Sequence, residues 1–242
     1  MISWCRFNMK MKLNRLNEKL GVSIILPVFN EGENIEKQLL EIEKKLKVTH
    51  ETLIVYDFDK DNTLPAAKKL QKKIAHLYLV KNMYGRGLIS AVKTGFKKSH
   101  FETVVVMPAD LADDPNTINH MYKKILAGFD IVCATRYKKG GKKIGGNFVK
   151  TFLSYLAGVS TPILLGIPTT DLANGFKMYR KKVLNEITIE SDGGWEFASE
   201  IIIKAHLLGY KVSEVPTVWR DRIQGKSKFK LLKWLPKYLK WY

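Results

Sequence analysis

Short runs of aliphatic and β-branched residues alternate with amphipathic stretches over the first half of the chain. No other feature of the sequence limits its possible folds as strongly. Runs typical of buried strands lie at residues 22–28, 52–56, 77–80, 103–107 and 131–134. Helical apolar spacing falls between them, at residues 35–46, 66–74, 88–98 and 115–126. This order predicts an α/β fold with a mostly parallel sheet flanked by helices on both faces.

Polar residues collect where the predicted strands end. Asn30 and Glu31 follow the first strand, acids at 57–61 follow the second, and acids at 110–114 follow the fourth. We expect Asn30 to cap the first helix, because Glu33 lies three positions further on. The carboxyl ends of parallel strands meet at one edge, where open α/β sheets bind ligands.

Three carboxylates crowd the turn after the fourth strand. Asp110, Asp113 and Asp114 precede Pro115, and carboxylate oxygens are hard ligands suited to Mg²⁺ or Mn²⁺. The other interpretation is helix capping by Asp113 and Asp114 before a proline at the helix start. Both interpretations hold if Asp110 faces a metal and one later aspartate caps the helix.

Other nucleotide-binding patterns are absent from the sequence. Gly85-Arg86-Gly87 is not completed by a third glycine, because Ser90 stands at that position, and there is no P-loop pattern. The two cysteines, Cys5 and Cys133, lack neighbouring ligands at zinc spacing, so we expect reduced thiols.

Taken together, these segments resemble the family 2 glycosyltransferases with the GT-A fold, over residues 22–229. Within the family they are most similar to the polyprenyl-phosphate glycosyltransferases, the branch that contains the dolichyl-phosphate mannose synthases. The similar segments are residues 24–34, 56–63, 82–87, 108–110, 134–137, 171–175, 214–216 and 222–228, together with Glu200.

The resemblance implies a nucleotide-sugar donor and an inverting transfer of a hexose. It assigns the donor-binding residues to the turns after the first, second and fourth strands: Pro27, Phe29, Glu31, Asp57, Ala109 and Asp110. Asp110 becomes the catalytic residue and a ligand of Mg²⁺ or Mn²⁺, and we expect Asp113 to be the second ligand, a role that Asp114 could also fill. Arg136, Arg222 and Lys228 become the residues that bind the phosphates of donor and acceptor.

The implied acceptor is a polyprenyl phosphate at the cytoplasmic face of a membrane, where the protein would be peripheral. A lipid phosphate is anionic near neutral pH and needs alignment more than a general base. A glycan or other hydroxyl acceptor, which would require a carboxylate base, is the alternative.

Four positions depart from the family pattern. Pro108 replaces the first aspartate of the metal-binding Asp-x-Asp, and Ala112 replaces a side chain that assists it in the mannose synthases. Glu196 and Lys226 reverse the charge found in relatives. These departures also allow a degenerate protein that binds sugar nucleotides without turning them over.

Charge points to anionic partners. Lys and Arg number 41 against 23 Asp and Glu, a formal charge of +18. Because no nucleic-acid-binding motif accompanies this charge, we expect no nucleic acid partner. Residues 226–242 interleave lysines with Trp and Tyr, which is typical of a segment lying on an anionic membrane surface. A terminal helix docked on the core is the alternative.

Residues 151–170 carry no charge, but Pro162 is expected to break a helix there. We therefore expect a short helix and a second apolar segment, in the core or at a membrane surface, in preference to a membrane span. The stripe of Phe148, Phe152, Leu156 and Val159 is expected to face the core.

The resulting domain organisation has three parts. Residues 1–21 form an N-terminal extension without a signal-peptide pattern. Residues 22–229 form the glycosyltransferase domain, divided into a nucleotide-sugar half (22–135) and an acceptor half (136–229). Residues 230–242 form a C-terminal amphipathic, membrane-proximal segment.

Overall fold

A seven-stranded sheet forms the centre of the protein, whose structure is a computed structural model that describes residues 20–146, 148–221 and 236–241. The strands are β1 Val22–Val28, β2 His50–Tyr56, β3 Leu77–Lys81, β4 Thr103–Val106, β5 Ile131–Thr135, β7 Lys177–Arg180 and β8 Val212–Pro216. Their order is β3-β2-β1-β4-β7-β5-β8. All neighbouring pairs are parallel except those that involve β7, which confirms a mostly parallel sheet.

Helices cover both faces of this sheet. They are α1 Ile35–Lys45, α2 Thr63–Gln71, α3 Leu88–Lys98, α4 Thr117–Leu126, α5 Phe148–Leu165, α6 Lys181–Glu186 and α7 Phe197–Leu207. Alternate residues of β1 enter two cores: Ile24 packs with Ile35 and Ile118 of α1 and α4, and Ile25 packs with Ala91 of α3. A small separate ribbon pairs β6 Lys142–Ile144 with β9 Val218–Arg220.

Most predicted elements have their counterparts at nearly the predicted bounds. The strand at 22–28 and the helix at 88–98 match in full. The helix start at Asn30 was wrong, because α1 begins at Ile35 and Asn30 adopts a left-handed backbone with φ 58°. Asn30 instead belongs to the turn between β1 and α1.

The second half of the domain differs more from expectation. β7, unpredicted and antiparallel, inserts between β4 and β5, so segments from before and after residue 136 share one sheet. Pro162 does not break α5. The hydroxyls of Ser160 and Thr161, just before the proline, donate to the carbonyls of Leu156 and Ala157, one turn earlier in the helix.

α5 also presents the opposite face from the one predicted. Gly158 and Thr161 face inward, and a Cβ at Gly158 would lie 2.0 Å from the carbonyl oxygen of Thr170, so only glycine fits there. The predicted core stripe is wrong for Phe152, Leu156 and Val159, which are exposed, as are Ile163 and Leu164. The side chain of Phe148 lies outside the described part. Among the described residues, no helix has both the length and the apolar character needed to cross a membrane.

A single helical turn is described in the C-terminal segment, at residues 236–239. Lys237 lies 2.7 Å from Asp192, and the ammonium of Lys204 in α7 lies 5.0 Å from the ring centre of Trp241. This turn therefore contacts the domain, and the membrane contact of the C-terminal segment stays a prediction. Residues 222–235 lie outside the description.

Candidate active site

The turn after β1 is held by the turn after β2. Buried Asp61 accepts hydrogen bonds from the backbone of Asn30 at 3.1 and 3.2 Å and of Thr63 at 2.8 Å. The Glu31 backbone donates to the Thr63 hydroxyl at 3.0 Å, and Gly32 donates to the side chain of Asn62 at 2.9 Å. These bonds fix the backbone of residues 30–32, which follows Pro27 and Phe29, at the carboxyl edge of the sheet.

Asp57 organises a second loop at this edge. Its two carboxylate oxygens accept from the Asn82 amide at 2.8 Å and from the Gly87 backbone at 3.0 Å. Asn82 in turn accepts from the Thr94 hydroxyl at 2.9 Å. Asp57 thus ties β2 to the glycine-containing loop that leads into α3.

Aromatic rings line the space between these loops. Phe29 and Phe58 meet edge to face with ring centres 5.8 Å apart, and the Arg86 guanidinium lies 5.6 Å from the Phe58 ring centre. Phe29 is 51% exposed. The exposed ring of Phe29 provides a surface on which a nucleobase can stack.

The turn after β4, here called the acidic turn (residues 110–114), has a different character. Leu111 adopts a left-handed backbone with φ 62°, which is rare for a residue with a side chain, and its N–H donates to buried Gln38 at 3.2 Å. The Ala112 carbonyl accepts from Arg220 at 2.8 Å, and Asp113 bridges to Trp219 of β9. Strain at Leu111 is therefore offset by contacts from α1 and β9.

The carboxyl of Asp113 is buried, and its Oδ1 atom has no hydrogen-bond partner among the described residues. Burial, followed by the nearby charge of Asp110, raises the pKa of Asp113 to about 8. The predicted capping by Asp113 or Asp114 was wrong, because Asn116 is the residue that precedes α4. Asp114 instead accepts from the Asn116 backbone at 3.0 Å within the turn before the helix.

A divalent cation fits this donor set. The turn brings together two carboxylates, Asp110 and Asp113, and one of them holds an unpaired buried oxygen. Pro108 and Ala112 contribute no side-chain oxygen. Mg²⁺ and similar hard cations commonly take one or two carboxylates, with water and substrate phosphate completing the shell. The same acids line a pocket that extends to Glu33, Lys37 and Arg220.

Arg136, predicted to bind phosphate, has a protein partner in the structure. Its Nε and Nη2 atoms donate to the two oxygens of buried Asp171, both at 2.7 Å, and its Nη2 atom to Ser154 at 3.3 Å. The guanidinium lies between the rings of Tyr137 and Trp219, at 5.2 and 5.9 Å. This bidentate pair joins β5 to the segment before β7. The other predicted phosphate ligands, Arg222 and Lys228, lie outside the described residues.

Several organising residues were missed as site residues. Asp61 and Asp171 each hold a site loop in place. Glu214 accepts from both the backbone and the hydroxyl of Thr170, at 2.7 and 2.9 Å. Buried Lys177 donates to the carbonyl of Leu172 at 2.8 Å and to that of Asn174, and burial lowers the pKa of Lys177. Asp61, Asp171 and Glu214 lie within the segments that resemble the family, so the sequence indicated their positions. It did not indicate their hydrogen-bond partners.

Comparison with known proteins identifies the family. Residues 23–188 match the family described as Glycosyl transferase family 2. The dolichol-phosphate mannosyltransferase of Pyrococcus furiosus is 32% identical over 233 residues, which are 92% of this chain and 64% of that protein. An uncharacterized glycosyltransferase of Synechocystis is 30% identical over 171 residues, 69% of this chain and 52% of the other. The chain thus spans less than two thirds of either relative.

The fold has counterparts among solved structures. Glucosyl-3-phosphoglycerate synthase from Mycobacterium tuberculosis, in complex with Mn²⁺, UDP-glucose and phosphoglyceric acid, superposes with a TM-score of 0.68 at 16% identity, covering 92% of this chain and 78% of that one. Its complex with Mn²⁺, UDP and glucosyl-3-phosphoglycerate gives 0.66 at 17% identity, covering 91% and 76%. At this identity the likeness concerns the fold. The chain has the GT-A fold and belongs to glycosyl transferase family 2.

Proposed function

We propose that this protein transfers a hexose from a GDP- or UDP-sugar to a polyprenyl phosphate. The observation that carries the proposal is the acidic turn, where a buried carboxylate oxygen of Asp113 lacks a partner among the described residues, beside Asp110 and at the edge where the β1 and β2 turns meet. Family membership and the mannosyltransferase relative support the reaction class and the acceptor.

The donor's nucleotide would lie over the β1 and β2 turns. Phe29 offers a face for the base, and the backbone of residues 27–31, pinned by Asp61, offers donors and acceptors in fixed positions. Asp57 holds the glycine-containing loop in place through its hydrogen bonds to Asn82 and Gly87. The diphosphate would then extend from Ala109 toward the acidic turn.

Mg²⁺ or Mn²⁺ held by Asp110 and Asp113 would neutralise the diphosphate as it leaves. In the transfer, an oxygen of the acceptor phosphate forms a bond to the anomeric carbon while the carbon–oxygen bond to the diphosphate breaks. The diphosphate departs with the electron pair. The acceptor oxygen carries no proton to remove, so the protein's task is alignment.

Arg136 contributes to this site through Asp171. Because both carboxylate oxygens of Asp171 are committed to its guanidinium, we propose that Arg136 positions the β5 turn and adds positive potential near Asp113. Arg222 and Lys228 remain the proposed phosphate ligands.

The acceptor's lipid requires a membrane surface, and α5 offers a face for it. The side chains of Ile163 and Leu164 are 75% and 68% exposed, and Phe152 extends the same apolar surface. Exposed Lys138, Lys139 and Lys142 precede the helix. An apolar face next to lysines suits an anionic bilayer, so we propose that the protein lies peripherally at the cytoplasmic face through α5.

A donor and acceptor screen tests the reaction. The purified protein, with Mn²⁺ or Mg²⁺, is given GDP- and UDP-sugars and a short polyprenyl phosphate, and release of nucleotide and labelling of the lipid are followed. We expect transfer that EDTA abolishes. Transfer to phosphoglycerate or a glycan but not to the lipid would replace the acceptor, and donor binding without turnover on any acceptor would identify a degenerate protein.

Liposome sedimentation tests the membrane contact separately. The double variant Ile163→Ser with Leu164→Ser should bind anionic vesicles less than the wild type. Leu207→Ser is the matched control, because Leu207 is equally exposed at 79% but lies on α7. Equal sedimentation of all three proteins would show that α5 does not face the membrane.

A further inference from the structure

A cluster of metal-ligating side chains lies away from the proposed active site. Glu43 on α1, His50 at the start of β2 and His76 in the turn before β3 converge there. Glu43 Oε1 lies 3.1 Å from His50 Nε2 and 3.0 Å from His76 Nε2. One ligand atom from each residue falls within 4.8 Å of the other two.

This cluster lies at the opposite edge of the sheet from the acidic turn. His50 opens β2 and His76 precedes β3, so both lie at the amino ends of parallel strands. The seven residues of β2 span about 20 Å, and the proposed donor site lies beyond their far end. The proposed transferase reaction therefore assigns no task to these three residues.

The hydrogen bonding of His50 prepares one nitrogen to act as a ligand. His50 Nδ1 lies 3.0 Å from the carbonyl oxygen of Val48. A carbonyl only accepts, so Nδ1 carries the hydrogen, and in the neutral ring Nε2 carries the lone pair. Nε2 lies 3.1 Å from a carboxylate oxygen of Glu43, and a cation bound to both atoms would stabilise their approach. Metal-bound histidines commonly donate their other ring nitrogen to a backbone carbonyl in this way.

The spacing also suits a small cation. Tetrahedral Zn²⁺, with bonds of about 2.0–2.1 Å, places its ligand atoms about 3.3 Å apart. The separations of 3.0 and 3.1 Å from Glu43 Oε1 lie within a few tenths of an ångström of this value, and the two histidine ligand atoms lie within 4.8 Å of each other. The side chain of His50 is 9% exposed, whereas those of His76 and Glu43 are 39% and 29% exposed, which leaves a direction open for a water ligand.

We propose that Glu43, His50 and His76 form a second metal site, which takes Zn²⁺ or a similar borderline divalent cation. Two imidazoles and one carboxylate favour such ions over Mg²⁺, which prefers oxygen ligands. The bound ion clamps α1 to the start of β2 and to the turn before β3. The protein thus has two metal sites of different chemistry: an oxygen site in the acidic turn and a nitrogen-rich site at the opposite edge.

A zinc titration of four full-length proteins tests this site. Each is stripped with EDTA, dialysed, and titrated with Zn²⁺ against a chromogenic chelator, with metal content checked by mass spectrometry. We expect one Zn²⁺ at this site in the wild type and in Asp110→Asn, and binding at least about 100-fold weaker in His76→Ala. His120→Ala, which removes another exposed histidine from α4, should match the wild type.

Thermal unfolding gives a second readout. Zn²⁺ should raise the melting temperature of the wild type and of His120→Ala by several degrees, and should leave His76→Ala unchanged. Because His76 is partly exposed, the variant should fold, and its circular dichroism in EDTA verifies this.

Three results would overturn the proposal. The wild type could fail to bind Zn²⁺ at micromolar concentration, His76→Ala could bind it as tightly as the wild type, or the bound ion could be lost in Asp110→Asn. The first two would make the cluster a hydrogen-bonded triad, and the third would place the zinc in the acidic turn. None of these results bears on sugar transfer, which the donor screen measures independently.

Discussion

Two acid-bearing turns flank the end of β1, and they use their carboxylates in opposite ways. After β2, Asp57 and Asp61 both have their charges satisfied by N–H donors from neighbouring loops. After β4, the Asp113 carboxyl is buried beside Asp110, and one of its oxygens lacks a partner in the described part of the chain. Protein contacts thus satisfy the carboxylates of the first turn, whereas the second turn leaves a carboxylate oxygen for the proposed cation.

This difference suggests that the acids after β2 stabilise the loops and that the acids after β4 serve the proposed reaction. A carboxylate with two or three N–H partners fixes loop geometry and stabilises the fold. Buried carboxylates close to each other cost stability unless a cation joins them. Replacing acids in the two turns should therefore have different consequences: lost stability or a loosened loop after β2, and lost catalytic turnover after β4.

The largest effect is expected from Asp110→Asn. Removing one carboxylate from the proposed cation site should lower kcat for sugar transfer by about 10³-fold, comparable to the loss of one transition-state charge contact. The melting temperature should stay close to that of the wild type. Initial rates of nucleotide release, with circular dichroism melting, measure both, and near-normal turnover would remove Asp110 from the site.

Asp61→Ala should cost stability instead. It leaves the N–H groups of Asn30 and Thr63 without their carboxylate partner in a buried place, at a cost of about 3 kcal/mol in the free energy of unfolding. Urea denaturation measures the change. Asp59→Ala is the control: its side chain is 70% exposed and pairs with Lys81, so it should lose less than about 0.5 kcal/mol. Equal losses would refute the framework role of Asp61.

Asp113→Asn should stabilise the metal-free protein at alkaline pH. Between about pH 4 and about pH 8 the folded wild type holds a proton on Asp113 that the unfolded chain has released, so wild-type stability falls as pH rises through this window. Asparagine does not titrate, so the advantage of the variant over the wild type should grow as the pH rises from about 4 to about 8.

Urea denaturation in EDTA at a series of pH values measures this difference. Adding Mn²⁺ should reverse it, since only the wild type gains a ligand for the cation. Parallel plots of the free energy of unfolding against pH for the two proteins would show that folding does not raise the pKa of Asp113.

The smallest effect is expected from Asp57→Asn. The amide can accept only one of the two hydrogen bonds that hold Asn82 and Gly87, so the glycine loop should loosen. We expect KM for the donor to rise about 10-fold, equivalent to about 1.4 kcal/mol, with a smaller change in kcat. Steady-state kinetics at varied donor concentration measures KM, and an unchanged KM would show that the loop does not contribute to donor binding.

Local patterns predicted the first half of the fold well, because buried parallel strands and amphipathic helices mark themselves by periodicity. β7 escaped notice because Lys177-Met178-Tyr179-Arg180 is short and carries charges at both ends. Its burial comes from pairing with two strands that are distant in sequence, which no local window contains. Likewise the apolar stripe of α5 was wrongly assigned to the core, because the glycine and hydroxyl face of the helix packs inward against the backbone of Thr170 and leaves the large side chains outside.

The sequence indicated the type and position of the candidate site residues better than it indicated which residues they contact. Asp110 and Asp113 were singled out as acids at a strand end, and their role as metal ligands stays a prediction. The sequence did not distinguish Asp113 from Asp114, because their roles depend on burial and on the bridge to Trp219, over a hundred residues away. Asp171, which forms the bidentate ion pair with Arg136, lies 35 residues further along the chain, and only the folded structure brings the two together.

Calorimetric titration of GDP and UDP into the protein, with Mn²⁺ and with EDTA, tests the central claim most directly. If the acidic turn holds a cation that binds the donor's diphosphate, the preferred nucleotide should bind at least about 100-fold more tightly with Mn²⁺, and Asp110→Asn should lose that gain. Equal affinity with and without the metal, or an undiminished metal effect in Asp110→Asn, would contradict the account.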